Sequence, residues 1–154
     1  RKKVEADPAH PRAITTVHVQ AAAAPASRRL LPAPMLASRS GCDAPAQFVF
    51  DRDAITGPAA STRLLAFVIS DSTGERPALE AAVVAQAQRE LGLAVQPLLT
   101  ITERRATFAC TAALQRPPAA IAPGLLACGD YIDGPYPATL EGAVRSGVAA
   151  GSLP

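Results

Sequence analysis

Apolar positions along this chain repeat with two periods, and the switches between them predict its elements. From Ile14 to Gln20 the pattern alternates, with Thr15, Val17 and Val19 on one face and Ile14, Thr16, His18 and Gln20 on the other. Period two with β-branched residues predicts a strand. Three more extended runs follow at Met35–Ala37, Gln47–Asp51 and Arg63–Ser70. The last of these is almost wholly apolar, as a central strand covered on both faces would be. The period then lengthens. Leu79, Val83, Ala87 and Leu91 recur every four residues, behind Asp71-Ser72-Thr73-Gly74 and Pro77 and ahead of Gly92. A proline in the first turn and a glycine at the stop predict an amphipathic helix packed on a sheet. Leu98–Cys110 reads as extended, Leu125–Cys128 as a short buried strand and Thr139–Ala150 as a final helix. Between these elements, Ala21–Pro34 and Gln115–Pro123 read as irregular connections, Asp53–Ser61 as a Gly/Pro-containing loop and residues 1–12 as frayed. No internal repeat is visible.

Composition adjusts this picture in three ways. With 154 residues, 49% apolar but only 4% aromatic and without tryptophan, the chain supports a core that is thin for its length. A net charge of +2 is too small to point to nucleic acid, and Arg1-Lys2-Lys3, Arg28-Arg29 and Arg104-Arg105 read as solvated faces. Cys42, Cys110 and Cys128 show no C-x-x-C spacing and leave an odd thiol, which argues against a disulfide framework and suits the reducing cytoplasm. Cys110 and Cys128 read as small buried hydrophobes. Two histidines, His10 and His18, assemble no zinc constellation, and His18 reads as a solvated or hydrogen-bonded strand residue. No apolar run has transmembrane length. The chain starts at Arg1 rather than Met, so it is expected to belong to a longer reading frame.

The chemistry lies near the end. Leu125-Leu126-Ala127-Cys128-Gly129-Asp130-Tyr131 carries an apolar run into Gly-Asp, and Tyr136-Pro137-Ala138-Thr139 opens a helix of small residues. Gly129 lets a ligand approach the backbone closely. Asp130 would repel a pyrophosphate, so it suits a sugar-like hydroxyl. The unpaired amides and dipole of a helix start stabilise negative charge, such as that gained by a flavin ring on reduction. Ala143, Gly147 and Ala150 share one face and allow close packing. A strand–loop–helix with Gly-Asp is also common without any ligand. Calcium-loop spacing, a P-loop and a G-x-G-x-x-G turn are all missing from the sequence.

The run Gly-Asp-Tyr…Tyr-Pro-Ala-Thr-Leu-Glu-Gly-Ala-Val-Arg-Ser-Gly resembles the C-terminal flavin signature of the FAD-dependent amine oxidase and phytoene desaturase superfamily. Further stretches narrow the resemblance: Ile14-Thr15-Thr16-Val17, Ala46 to Arg52, Arg105-Ala106-Thr107-Phe108-Ala109-Cys110-Thr111, and Arg116-Pro117-Pro118-Ala119. Together they are similar to the squalene-associated FAD-dependent desaturases, the hydroxysqualene dehydroxylases, from about Ile14 to Gly151. Cys128 stands where relatives carry alanine, and the family's N-terminal Gly-rich half has no counterpart here.

The resemblance implies an FAD-dependent oxidoreductase that reduces hydroxysqualene to squalene in hopanoid or squalene synthesis. Its fold class would be α+β, a mixed sheet of the substrate domain with packed helices plus the C-terminal strand–helix of an FAD-binding dinucleotide fold. Residues 13–123 would belong to the substrate domain and 124–154 to the FAD-binding domain. Gly129 and Asp130 would meet the diphosphate–ribityl part of FAD. Pro137, Ala138 and Thr139 would bring backbone amides to the flavin ring, with Glu141 behind them. Tyr131 and Tyr136 would line the substrate cavity or pack locally. No general base is named and no metal is required. The implied partners are an apolar triterpene, an external donor such as NAD(P)H and, for the whole enzyme, peripheral contact with a membrane. A carotenoid desaturase, an amine oxidase relative and a non-catalytic remnant stand as alternatives.

Overall fold

The computed structural model describes residues 11–21, 30–57 and 63–152. Contacts divide the chain into two compact units, residues 13–104 and residues 105–152 with 11–12. The expected loop or frayed stretches 1–10, 22–29 and 58–62 lie outside the described residues. The chain is α+β: a five-stranded antiparallel sheet, a small two-stranded ribbon and three helices among the described residues.

The first unit carries the sheet, in the order β2-β3-β4-β1-β5, from β1 (Pro11–Ala21), β2 (Met35–Ala37), β3 (Phe48–Asp51), β4 (Arg63–Ile69) and β5 (Val95–Phe108). The first strand begins two residues before this unit and the last continues past residue 104. The expected alternation is present: Thr15, Val17 and Val19 are fully buried, and their strand neighbours are half-buried. In register, Val17 faces Phe67 and Val19 faces Leu65. Helix α2 (Arg76–Leu91) covers this face with Leu79, Val83 and Ala87 and ends where Gly92 turns left-handed at φ 65°. The sheet is antiparallel where a mixed one was expected, because β1 lies between β4 and β5. A parallel pair would need a crossover such as α2, but the strands that α2 joins, β4 and β5, are not neighbours.

Gln86 sits on the buried side of α2 and is 0% exposed. Its carboxamide accepts the Ala46 N–H at 3.0 Å and donates to the Ala46 carbonyl at 2.9 Å. A third bond goes to the Arg39 carbonyl at 3.4 Å. One side chain thus serves as the strand partner of a residue in the 39–46 segment.

The opposite face of the sheet is more open. Met35, Phe48, Leu99 and Ile101 are exposed, and His18 is half-buried there. Burial first, and then the charge of Arg52, hold the His18 imidazole below its ordinary value of 6.5. A lowered folded value means that the unfolded chain binds the proton more tightly. The neutral ring's contribution is therefore full above 6.5 and is lost as pH falls below it. The variant His18→Gln is expected to show a shallower loss of stability on acidification between about pH 7 and pH 5. Parallel pH–stability curves for wild type and variant would rule this out.

Several expectations are corrected. Asp53–Ser61 is not wholly loop: α1 (Arg52–Thr56) forms one turn, capped by the buried Asp51, whose carboxylate accepts the Ala54 N–H at 3.1 Å. The extended run 98–110 begins earlier and ends at Phe108. In the second unit, the loop 115–123 ends in β6 (Ala120–Ala122), which pairs with β7 (Leu125–Leu126) across a turn at Gly124. The buried strand expected at 125–128 is this two-residue ribbon, and Leu125 and Leu126 are 55% and 40% exposed. Cys110 and Cys128 fall just beyond strand ends, and both are exposed rather than buried.

The apolar core is unevenly shared. Every member of the main cluster lies between Val17 and Val95, all in the first unit. Among the described residues of the second unit, Ile132 is the sole buried large hydrophobe, at 4% exposed. Polar contacts must therefore carry more of that unit's structure.

Candidate functional site

The Gly-Asp motif and the final helix belong to one polar assembly in the second unit. Helix α3 (Leu140–Gly151) starts at Thr139, whose hydroxyl accepts the Gly142 N–H at 3.0 Å and donates to the Tyr136 carbonyl at 2.7 Å. The hydroxyl thus closes the helix start and ties it to the loop before it. At the other end of the loop, Gly129 N–H donates to the Ser146 hydroxyl at 3.2 Å. The Ala138 N–H reaches back to the Asp130 carbonyl at 3.3 Å. Gly129 and Asp130 are thereby held beside the start and the middle of α3.

The backbone between them is strained. Tyr136 and Ala138 have φ of 60° and 58°, and neither is glycine. Such left-handed residues cost about 1 kcal/mol or more each, so surrounding contacts must enforce them. Gly129 has φ 150°, and a Cβ there would come within 2.6 Å of the Tyr131 ring. Glycine is thus required by close packing of Tyr131 as well as by conformation. The Arg145 guanidinium lies 5.0 Å above the Tyr136 ring and pairs with Glu141 one turn earlier. Such contacts hold the ring against α3.

Arg116, from the loop before β6, reaches the same turn. Its guanidinium donates to the Ile132 carbonyl at 2.7 Å and to the Gly134 carbonyl, with the Asp133 carboxylate at 3.5 Å. The neighbouring Pro117 carbonyl accepts the Asp133 N–H at 2.9 Å.

All seven expected site residues are described: Asp130 and Ala138 bond each other, Thr139 bonds Tyr136, and Gly129 is held instead by Ser146. The amide expectation needs one correction. Pro137 has no N–H, and the Ala138 N–H is engaged by Asp130. Helix geometry leaves the amides of Leu140 and Glu141, one and two residues further on, without intrahelical acceptors. Leu140 is 86% exposed. Tyr131 and Tyr136 are both exposed, and each also packs locally.

No local sequence pattern marks Arg116, Ser146 or Gly142 as a structural partner. The spacing of Gly129 and Ser146 carries no periodic signal. Arg116 lies in one of the resembling stretches, and its role depends on acceptors that its own sequence neighbourhood does not reveal. Away from this loop, a shallow cleft of about 800 Å³ in the first unit is lined by Leu36, Arg39, Cys42, Asp43, Arg89 and Glu90. Among the described residues no three His, Cys, Asp or Glu side chains converge to hold a metal. No described helix is long and apolar enough to cross a membrane. No protein-family model matches the chain, and no curated protein is significantly similar to it.

Proposed function

We propose that residues 14–151 are the substrate-domain and flavin-edge portion of an FAD-dependent oxidoreductase acting on an apolar isoprenoid, with hydroxysqualene reduction to squalene as the favoured reaction. The observation that carries the reading is the segment Gly129–Gly142. Its residues resemble the superfamily's flavin signature, and its backbone holds two left-handed non-glycine residues between a Gly-Asp step and a helix start. Strain of this kind persists where surrounding structure over-determines it, and it clusters at ligand sites.

The donor set fits the group. Gly129 presents backbone without a side chain, Asp130 would offer an acceptor to a ribityl or ribose hydroxyl, and the amides of Leu140 and Glu141, which have no intrahelical acceptors, would suit an electron-rich ring edge. Thr139 keeps the helix start intact, and Tyr136, steadied by Arg145, flanks it. Bound FAD, once reduced by an external donor such as NAD(P)H, would supply a hydride to the allylic carbon, and the hydroxyl would take up a proton and leave as water. The stripe Leu140, Val144 and Val148, each more than 60% exposed, suits a helix that is covered in a larger assembly.

The reading is tested in the gene. The frame upstream of Arg1 is expected to encode G-x-G-x-x-G at a strand–helix turn, and the complete product to purify with FAD and consume hydroxysqualene. A product that turns over phytoene or an amine instead would move it to a sister branch. A complete product that never binds flavin would identify a non-catalytic remnant. The 154-residue sequence carries no G-x-G-x-x-G turn. It is expected to leave FAD fluorescence unquenched in a micromolar titration, and a tight yellow complex would contradict this.

A further inference from the structure

The flavin reading leaves the largely buried charge of Arg116 unused. The Arg116 side chain is 10% exposed, while its carboxylate neighbour Asp133 is 73% exposed. A guanidinium so far out of water is retained only where fixed acceptors replace its hydration. Here the acceptors are mainly two backbone carbonyls, those of Ile132 and Gly134, two residues apart. The Pro117 carbonyl grips Asp133 N–H between them. Residues 116 and 117 therefore hold three consecutive residues, 132–134, from one side. The held segment lies between Gly129-Asp130 and the strained pair Tyr136 and Ala138. With Ile132 the sole buried large hydrophobe among the unit's described residues, packing cannot supply this order.

We propose that Arg116 is the positioning residue of the turn. By fixing the Ile132 and Gly134 carbonyls it sets where Asp130, Tyr136 and the first residues of α3 stand. The role depends on the planar fork of a guanidinium, which splays two N–H groups onto two carbonyls. The single point charge of lysine cannot reproduce that geometry. The exposed Asp133 carboxylate is incidental to it. This role rests on the flavin reading of the same loop, but the clamp itself does not.

Two measurements separate the claims. In the 154-residue chain, hydrogen exchange follows Arg116→Lys, Arg116→Met and Asp133→Asn. Both Arg116 variants are expected to speed exchange of the amides of 132–142 about tenfold, the factor for one lost charge-assisted bond. Asp133→Asn is expected to leave those rates unchanged, and none of the three is expected to alter the sheet of residues 13–104. Unchanged exchange at 132–142 in both Arg116 variants overturns the clamp, whatever the chain binds. In the complete FAD-loaded protein, Arg116→Lys is expected to shift the flavin absorption band, weaken FAD retention and lower kcat. The KM for the apolar substrate is expected to hold, because Arg116 positions the turn rather than the substrate. Loaded protein with unchanged spectrum, retention and kcat overturns the positioning role and leaves the flavin reading standing. A complete protein that binds no FAD removes both the flavin reading and the positioning role, and the exchange result then reports a structural clamp alone.

Discussion

Replacing Gln86 with leucine is expected to destabilise the chain by about 2–3 kcal/mol and to lower its urea midpoint by about 1 M. The residue is 0% exposed, and its carboxamide serves both the N–H and the carbonyl of Ala46, itself 0% exposed. Leucine strands both groups in the interior. Each stranded group costs about 1–3 kcal/mol, and the extra apolar burial of leucine returns about 1–2 kcal/mol of that. The stranded pair outweighs the gain. Gln86→Glu separates this account from simple misfit. The carboxylate still accepts the Ala46 N–H but faces the Ala46 carbonyl without a proton to donate. Burial and that carbonyl raise its folded pKa, so the protonated form favours folding and stability falls as pH rises above the unfolded carboxyl value of about 4.3. The glutamate variant is therefore expected to be less impaired near pH 4 than at pH 7, relative to wild type at each pH. An unchanged urea midpoint in Gln86→Leu would show that Ala46 finds other partners.

Gln86 also marks the limit of what periodicity reveals. β1, β4 and α2 were legible because each buries one face, and one-sided burial imprints a period on Val17, Val19, Leu79, Val83 and Ala87. Gln86 lies three residues after Val83, on that same helical face, so its position was a readable signal. Its polarity concealed it, because a buried amide is recognisable only by its partner forty residues away. Strand order was hidden for a related reason. The insertion of β1 between β4 and β5 is a long-range pairing that no local pattern encodes. The apolar run at Leu125 misled in the opposite sense. Two leucines in a short ribbon look the same in sequence whether something covers them or not. At the candidate site, Gly129, Asp130 and the Thr139 helix start were legible as local geometry. Arg116 and Ser146 were not, because their contribution is a bond to a distant backbone group.

The same distinction between local rule and distant contact sets the second large effect, at two glycines of α3. By helix propensity, glycine to alanine inside a helix stabilises by about 1 kcal/mol. Gly147→Ala is expected to obey this, since a Cβ there meets nothing within 4 Å. Gly142→Ala is expected to do the reverse. A Cβ at Gly142 would overlap the carbonyl oxygen of Tyr136 and come within 3.4 Å of the Pro135 carbonyl oxygen. Both obstacles are backbone, and the Tyr136 carbonyl is already held by the Thr139 hydroxyl. The loop can yield only by breaking that bond and releasing Gly142 N–H from its cap, and a lost helix cap costs about 1 kcal/mol. Adding the displaced left-handed turn, the net loss is expected at about 2 kcal/mol, confined to residues 129–151. Hydrogen exchange across α3 reads this directly: protection falls throughout the helix in Gly142→Ala and holds or rises in Gly147→Ala. If both substitutions raise protection, the helix start does not rest on the Tyr136 carbonyl. The close approach that sets the Tyr136 carbonyl against the start of α3 would then fail with it.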